Sequence, residues 1–327
     1  MRVTFNELKN ELNRVLLKVG FEKERAELCA GIFAGNSRDG VASHGLNRFP
    51  VFIKYIESGY INIHAEPEVL TSHGSIEKWD GGLAPGMYTA TLAMARAVKI
   101  AKANAIGCVA VRNTNHWMRG GTYGWQAADS GCVAFCGTNA IANMPPWGGK
   151  TPTLANNPFV IAVPRKEGHL VLDMAMSQFS YGKMNEYRLK GSLLPVYGGY
   201  DAKGELSRDP AAIAASKRTL PAGFWKGAGL SLMMDVLASC LSDGQTVKRV
   251  TEQGNEYGVS QFFLCLAPEH IDEKIINEII DYAKSSEGVD ERSWVRYPGE
   301  QALKNRLTSM EEGVAVNEGI WEKVKAM

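Results

Sequence analysis

The stretch DGVASHGLNRFP, Asp39 to Pro50, sets an imidazole at His44 and a guanidinium at Arg48 four residues apart. Four residues is about one turn of an α-helix, so this spacing puts both side chains on one face. Histidine changes charge near neutral pH and can hand a proton to a developing oxyanion. Arginine presents a planar fork that holds a carboxylate through two parallel hydrogen bonds, which lysine cannot match. Together the pair could bind and protonate a 2-keto acid; taken by itself it reads more simply as an ordinary polar helix entrance. Ser43 could hold the imidazole, touch the substrate, or cap the helix.

A second cluster, VRNTNHWMRGGTYGWQAA from Val111 to Ala128, begins where an apolar strand ends, the place where α/β proteins tend to set ligand sites. Asn113, Asn115, His116 and Arg119 put four polar side chains within seven residues, ahead of Gly120 and Gly121. Such a loop can hydrogen-bond a hydroxylated substrate at several points. Trp117 reads first as core, with stacking on a sugar or ring as its other use. The loop NMPPWGGKTPTLANNP is long, irregular and flanked by strands, as functional loops often are.

The elements that must position these residues follow from pattern. Thr4-x-x-Glu7 has the form of a capping box and opens a helix to about Val19, with Leu8, Leu12, Val15, Leu16 and Val19 on one stripe and Gly20 closing it. A second helix is expected from Glu22 to about Asn36, and a third in LNRFPVFIKYIESG with Pro50 near its first turns. PEVLTSH and SIEKWDG alternate as strands, and GMYTATLAMARAVKIAKANAIG is an alanine-rich helix stopped by a glycine. CVAVRN is a strand ending at Asn113, followed by a helix in TYGWQAADSG and a strand in CVAFCGTN. FVIAVP and HLVLDM form a hairpin around Arg165–Gly168. Residues 181–221 are punctuated by Gly and Pro, with one or two short helices. WKGAGLSLMMDVLASCLSDG reads as a buried core helix, SQFFLCLAP as a strand, IDEKIINEIIDYAKSS as an amphipathic helix, and NEGIWEKVKAM as a terminal helix capped by Asn317. The sum is a helix-rich α/β class in which a purely parallel sheet is not expected.

Composition removes several functions. With 45% hydrophobic and 22% charged residues, the 327-residue chain is globular and long enough for one large or two ordinary domains. Thirty-six basic against 35 acidic residues give a net charge of +1, which provides no footprint for nucleic acid. No window approaches the roughly 20 apolar residues of a membrane span, and the N-terminus lacks the apolar core of a signal peptide. The six cysteines are scattered, as free thiols in a reducing cytoplasm would be. The G-x-G-x-x-G fingerprint is missing, since Leu232 stands where the third glycine of WKGAGLSL belongs. A phosphate loop fails likewise, with Met144 at its first glycine position. There is no G-x-S-x-G, no H-E-x-x-H, and no ligand spacing among the six histidines, so no metal is expected.

Six segments in order carry a resemblance that runs essentially end to end: SHGLNRFP at 43–50, RNTNHWMRGGTYGWQAA at 112–128, MPPWGGK at 144–150, NNPFVIAVP at 156–164, SYGKMNEYRLKG at 180–191 and FWKGAGLS at 224–231. The chain resembles the malate/L-lactate dehydrogenase family of the non-Rossmann type, and its NHWMRGG is similar to the diketogulonate-reducing branch. The resemblance implies a nicotinamide cofactor held without the glycine fingerprint, on a mostly antiparallel or mixed sheet covered by helices. It implies NADH, with NADPH tolerated, and a homodimer. The reaction it implies is hydride transfer to the C2 ketone of 2,3-diketo-L-gulonate, with His44 as proton donor, Arg48 as carboxylate clamp, and Ser43, Asn115, His116 and Arg119 as candidate substrate contacts. Cofactor contacts carry over to His169, Leu170, Val171, Leu172, Asp173, Met174 and Ala175, to Trp225 and Lys226, and to Gly299, Glu300 and Gln301. In that last patch the chain reads PGEQ, where relatives carry histidine then glutamate after the glycine. One extra residue also stands between Pro164 and Asp173. The expected organisation is a helical substrate domain over 1–115 joined by 300–327, and a cofactor domain over 116–299. Competing expectations are another 2-keto acid (malate, lactate or a cyclic imino acid), and a sugar-acid binding protein without turnover.

Overall fold

The computed structural model describes residues 1–289 and 295–327. The chain opens with β1 (Arg2–Val3), α1 (Phe5–Lys18), α2 (Lys23–Arg38), two 3-10 turns (Ala42–His44 and Leu46–Arg48) and α3 (Phe49–Glu57). The middle runs β2 (Glu68–His73), β3 (Ile76–Asp80), α4 (Gly86–Asn104), β4 (Ile106–Thr114), α5 (Gly121–Asp129), β5 (Val133–Thr138), β6 (Phe159–Val163) and β7 (Leu170–Met174). Next come α6 (Tyr181–Leu189), β8 (Gly199–Tyr200), β9 (Leu206–Ser207), α7 (Pro210–Ser216), α8 (Trp225–Ser242), α9 (Val247–Glu252), β10 (Val259–Leu266) and α10 (Glu273–Lys284). The chain closes with α11 (Glu300–Glu312), β11 (Val314–Ala315) and α12 (Glu318–Lys325).

Seven strands form one mixed sheet in the order β2-β3-β4-β10-β5-β6-β7. Only β3 and β4 pair in parallel; the other neighbours are antiparallel, which agrees with the expected class. Helices α4 and α5 cover one face. Ala90, Ala93 and Ala97 of α4 are fully buried there, and their small side chains let the helix backbone approach the strands. Trp117, Tyr123 and Phe263 fill the space beneath α5, with ring centroids 5.6–5.9 Å apart. A second cluster joins the chain ends. Thr4 caps α1 through the backbone of Glu7, and Leu8, Leu12, Val15 and Leu16 pack with Phe33, Phe49 and Trp321. Each such leucine contributes about 1.5–3 kcal/mol by burial. β1 pairs with β11, tying Arg2 to Ala315.

Three expectations are corrected. The α4 stop is not a glycine: Ala105 takes the left-handed conformation, at φ 65°, and Gly107 lies inside β4. Helix α8 is buried on one side only, by Met234 and Ala238 against Phe262, while Leu232, Met233 and Val236 are 51%, 48% and 44% exposed. His44 and Arg48 do not share an α-helix, because Gly45 breaks the segment at φ −110°, ψ −130°. Gly45 sits so close to α2 that a Cβ there would lie 2.1 Å from Ser37 Oγ and 2.9 Å from the Phe33 carbonyl oxygen.

Candidate active site

Even without a shared helix, both side chains reach one cleft of about 730 Å³. Its walls come from the 3-10 turns (Ser43, His44, Arg48), the loop after β4 (His116, Arg119), β7 (Val171, Asp173, Ala175), the start of α6 (Tyr181), the loop after α9 (Asn255, Glu256) and the start of α11 (Gly299, Gln301). Local packing sets the position of the imidazole. Asn36 Nδ2 donates to the His44 carbonyl at 2.9 Å, and Ser37 Oγ, which donates to the Phe33 carbonyl, accepts from Leu46 N–H at 2.9 Å. Gly182 presses against Ser43, where a Cβ would stand 2.8 Å from the serine Cβ.

His44 Nδ1 is 3.1 Å from Ser43 Oγ, which leaves the other ring nitrogen for a ligand. Its ring stacks on His116 at 5.6 Å with 17° between the planes. His116 Nδ1 accepts from Met118 N–H at 3.0 Å, so its Nε2 carries the proton when the ring is neutral. Met118 holds the left-handed conformation at φ 67°, a strain of about 1–3 kcal/mol that buries its side chain in the N-terminal core. Burial pushes the His44 pKa below the usual histidine value; the Asp173 carboxylate opposes this, while Arg48 and Arg119 add to it. His116 is pushed further down, by burial first and then by Arg48 and His44. The histidine pair is therefore poised toward neutrality. Arg48 is half-buried and its guanidinium has no hydrogen-bond or ion-pair partner among the described residues, leaving its fork open to a carboxylate.

Arg119 lies in a buried charge cluster. Its Nη1 donates to Asp39 Oδ2 at 2.8 Å, and Asp39 also accepts from Arg306 at 2.7 and 3.0 Å and from Arg38 at 2.9 Å. The remaining Arg119 Nε is 3.8 Å from Asp173 Oδ2, which accepts from Gly121 N–H at 2.8 Å. Asn115 is not brought to the cleft: its amide donates to the carbonyls of Tyr60, Leu83 and Ala84 and pins the loop.

The expected cofactor patches divide similarly. Val171, Asp173 and Ala175 line the cleft, whereas Leu170, Leu172 and Met174 alternate away from it. His169 instead bonds Arg165 N–H and stands 2.9 Å from Asp129. Gly299 and Gln301 line the cleft, while Glu300 pairs with Lys284. Trp225 and Lys226 are exposed on the first turn of α8, outside the cleft wall. No cluster of metal-ligating side chains occurs among the described residues, and no helix there is long and apolar enough to cross a membrane. All six cysteines are free.

Sequence reasoning missed Asp39, Arg306 and Glu256. Asp39 gave a signal: it is an anion at the C-terminus of α2, where the helix dipole disfavours one unless cations hold it. Glu256 gave none.

Comparison with known proteins fits this geometry. A 2,3-diketo-L-gulonate reductase of Escherichia coli is 44% identical over 334 residues, spanning 100% of both chains. A protein of the same description from Citrobacter koseri is also 44% identical over 100% of both. Among solved structures, malate dehydrogenase of Pyrococcus horikoshii superposes with a TM-score of 0.88 at 29% identity, covering 99% of this chain and 93% of that one. Sulfolactate dehydrogenase of Methanocaldococcus jannaschii gives 0.89 at 27%, covering 100% and 96%. A profile of one family matches residues 3–325, and on that match and the full-length relatives the chain belongs to the malate/L-lactate dehydrogenase family.

Proposed function

We propose that the protein is a reductase of 2,3-diketo-L-gulonate that uses NADH, accepts NADPH, and yields 3-dehydro-L-gulonate. The observation that carries this reading is the half-buried His44 imidazole and the unpaired Arg48 guanidinium on one cleft. The substrate assignment is supported by relatives of that description at 44% identity over the whole chain.

The cleft suits a nicotinamide. Val171 and Ala175 offer an apolar wall for a flat ring, Asn156 offers an amide, and Asn143 Oδ1 is buried without a partner. Val171, Asp173, Ala175, Gly299 and Gln301 would hold the cofactor, with the exposed Trp225 and Lys226 as further contacts. When bound, it supplies the hydride. Arg48 holds the substrate carboxylate in its fork and sets the C2 ketone toward His44. His44, its Nδ1 side held by Ser43, gives a proton to the C2 oxygen as negative charge develops there, a contribution of about 10²–10⁴ in rate. A carboxylate seated on Arg48 also offsets one of the charges that depress His44, so substrate binding itself favours the protonated imidazole.

The test is NADH absorbance decay with 2,3-diketo-L-gulonate beside pyruvate, oxaloacetate and a cyclic imino acid. Selective decay with the diketo acid, lost by at least a hundredfold in His44→Ala, is expected. Near-native turnover in His44→Ala would overturn the mechanism. We further propose a homodimer, supported by the apolar face that Leu232, Met233 and Val236 leave open on α8. Sedimentation should then give twice the 35.7 kDa of one chain.

A further inference from the structure

Glu256 lies on the cleft wall, in the loop between α9 and β10, with its side chain 13% exposed. One oxygen, Oε2, accepts from Ile141 N–H at 3.0 Å. The other, Oε1, has no hydrogen bond among the described residues and faces His116 Nε2 at 3.9 Å. That distance is beyond a hydrogen bond, and burial together with the charge of Arg48 keeps His116 neutral, so the pair is not an ion pair and the Glu256 charge is not cancelled there. The loop is also held firmly. Asn255 Nδ2 donates to Tyr60 Oη at 3.0 Å, and Tyr257 stacks on Tyr60 at 4.9 Å and 18°. Glu256 is thus a fixed carboxylate with one free acceptor oxygen.

Its place relative to the reacting groups gives it a use. His44 stacks on His116 at 5.6 Å, and the Nε2 edge of that same His116 ring faces Glu256 Oε1 at 3.9 Å. A 2-keto acid with its carboxylate on Arg48 and its ketone at His44 would run its remaining carbons past His116 toward Oε1. A fixed carboxylate there accepts hydrogen bonds from hydroxyl groups and repels a second carboxylate. We infer that Glu256 is the specificity-determining residue of the cleft, binding the hydroxyl groups of a polyol tail and excluding dicarboxylic keto acids. This rests on the keto-acid reductase reading above and names the residue that selects within it.

The experiment compares wild type, Glu256→Gln and Glu256→Asp in NADH oxidation with 2,3-diketo-L-gulonate, pyruvate and oxaloacetate. Glu256→Gln keeps the bond from Ile141 N–H through its carbonyl oxygen, and matching melting temperatures establish that it folds. Its kcat/KM for the diketo acid should fall about tenfold, mainly through KM, while pyruvate stays within twofold and oxaloacetate rises about tenfold. Glu256→Asp, which keeps the charge, should restore the exclusion of oxaloacetate. Parallel losses with all three substrates, or no change in their ratios, would overturn the inference and leave the reductase reading intact. A wild-type enzyme that reduces pyruvate or oxaloacetate but not the diketo acid would overturn both.

Discussion

Removing the charge of Asp39 should loosen the site from behind. Asp39 is 4% exposed and receives four hydrogen bonds from the guanidiniums of Arg38, Arg119 and Arg306. Asp39→Asn keeps the shape and one acceptor oxygen but leaves these cations without their common counter-charge. Breaking a buried pair in this way costs about 3–5 kcal/mol. Arg38 and Arg306 are 22% and 24% exposed and can recover solvent, whereas Arg119, at 7%, is left with Asp173 alone at 3.8 Å. The cost should therefore fall near the lower end, about 3 kcal/mol. With an unfolding entropy of roughly 2.1 cal/mol/K per residue, that lowers Tm by about 4–5 °C. The assay is thermal unfolding at pH 7, repeated down to pH 3. Burial pushes the Asp39 pKa up, but the hydrogen bond from Arg306 and the charges of Arg119 and Arg38 outweigh it, so the folded value lies below the usual carboxylate range. A depressed carboxylate stabilises above its unfolded pKa of about 3.9 and loses that contribution as pH falls through the folded value. The gap between wild type and variant should hold from pH 7 to 5 and narrow below about pH 4. Adding Arg119→Met, which removes the stranded cation, should recover part of the loss. A Tm change under 1 °C, or a gap that does not depend on pH, would refute the reasoning.

Arg48→Met should raise KM for 2-keto acids by about 10- to 100-fold with a smaller change in kcat, and Arg48→Lys should fall between, as steady-state kinetics would register. Because the proton donor must be charged, kcat/KM for reduction should rise as pH is lowered from 8, with its inflection below the ordinary histidine value of about 6.5. Asp173→Asn, which removes the carboxylate that supports the imidazolium, should move that inflection lower still in the same pH series.

How much of this was legible depends on how local the cause is. The capping box at Thr4 and the stripe beneath it needed only neighbours in sequence, and α1 formed where they predict. The cap at Asn317 and the hairpin of β6 and β7 were readable for the same reason. Helix α11 was not anticipated although Leu303, Leu307 and Met310 stand at helical spacing; in the fold Leu307 and Met310 are 59% and 57% exposed, so most of that stripe faces away from the core. The spacing of His44 and Arg48 suggested a shared helix face; the two side chains do line one cleft, but contact between Gly45 and α2 replaces the helix with two 3-10 turns. The Asp39 cluster draws on Arg119 and Arg306, 80 and 267 residues away, and no local rule brings them together. That cluster also fixes Arg119, which lines the cleft while its Nη1 donates to Asp39.

The strand order has a consequence for how the protein is made. β10, at residues 259–266, sits between β4 and β5, which are complete by residue 138. During synthesis both wait beside an open slot, with unpaired backbone groups along two edges that are buried in the finished sheet. The loop bearing Glu256 emerges immediately before the strand that fills the slot. A ribosome paused before that point, or a chain truncated there, would therefore present two sticky half-sheets and no complete cleft. Such nascent chains are the ones that should depend most on chaperones, and aggregation should drop once the strand has cleared the exit tunnel.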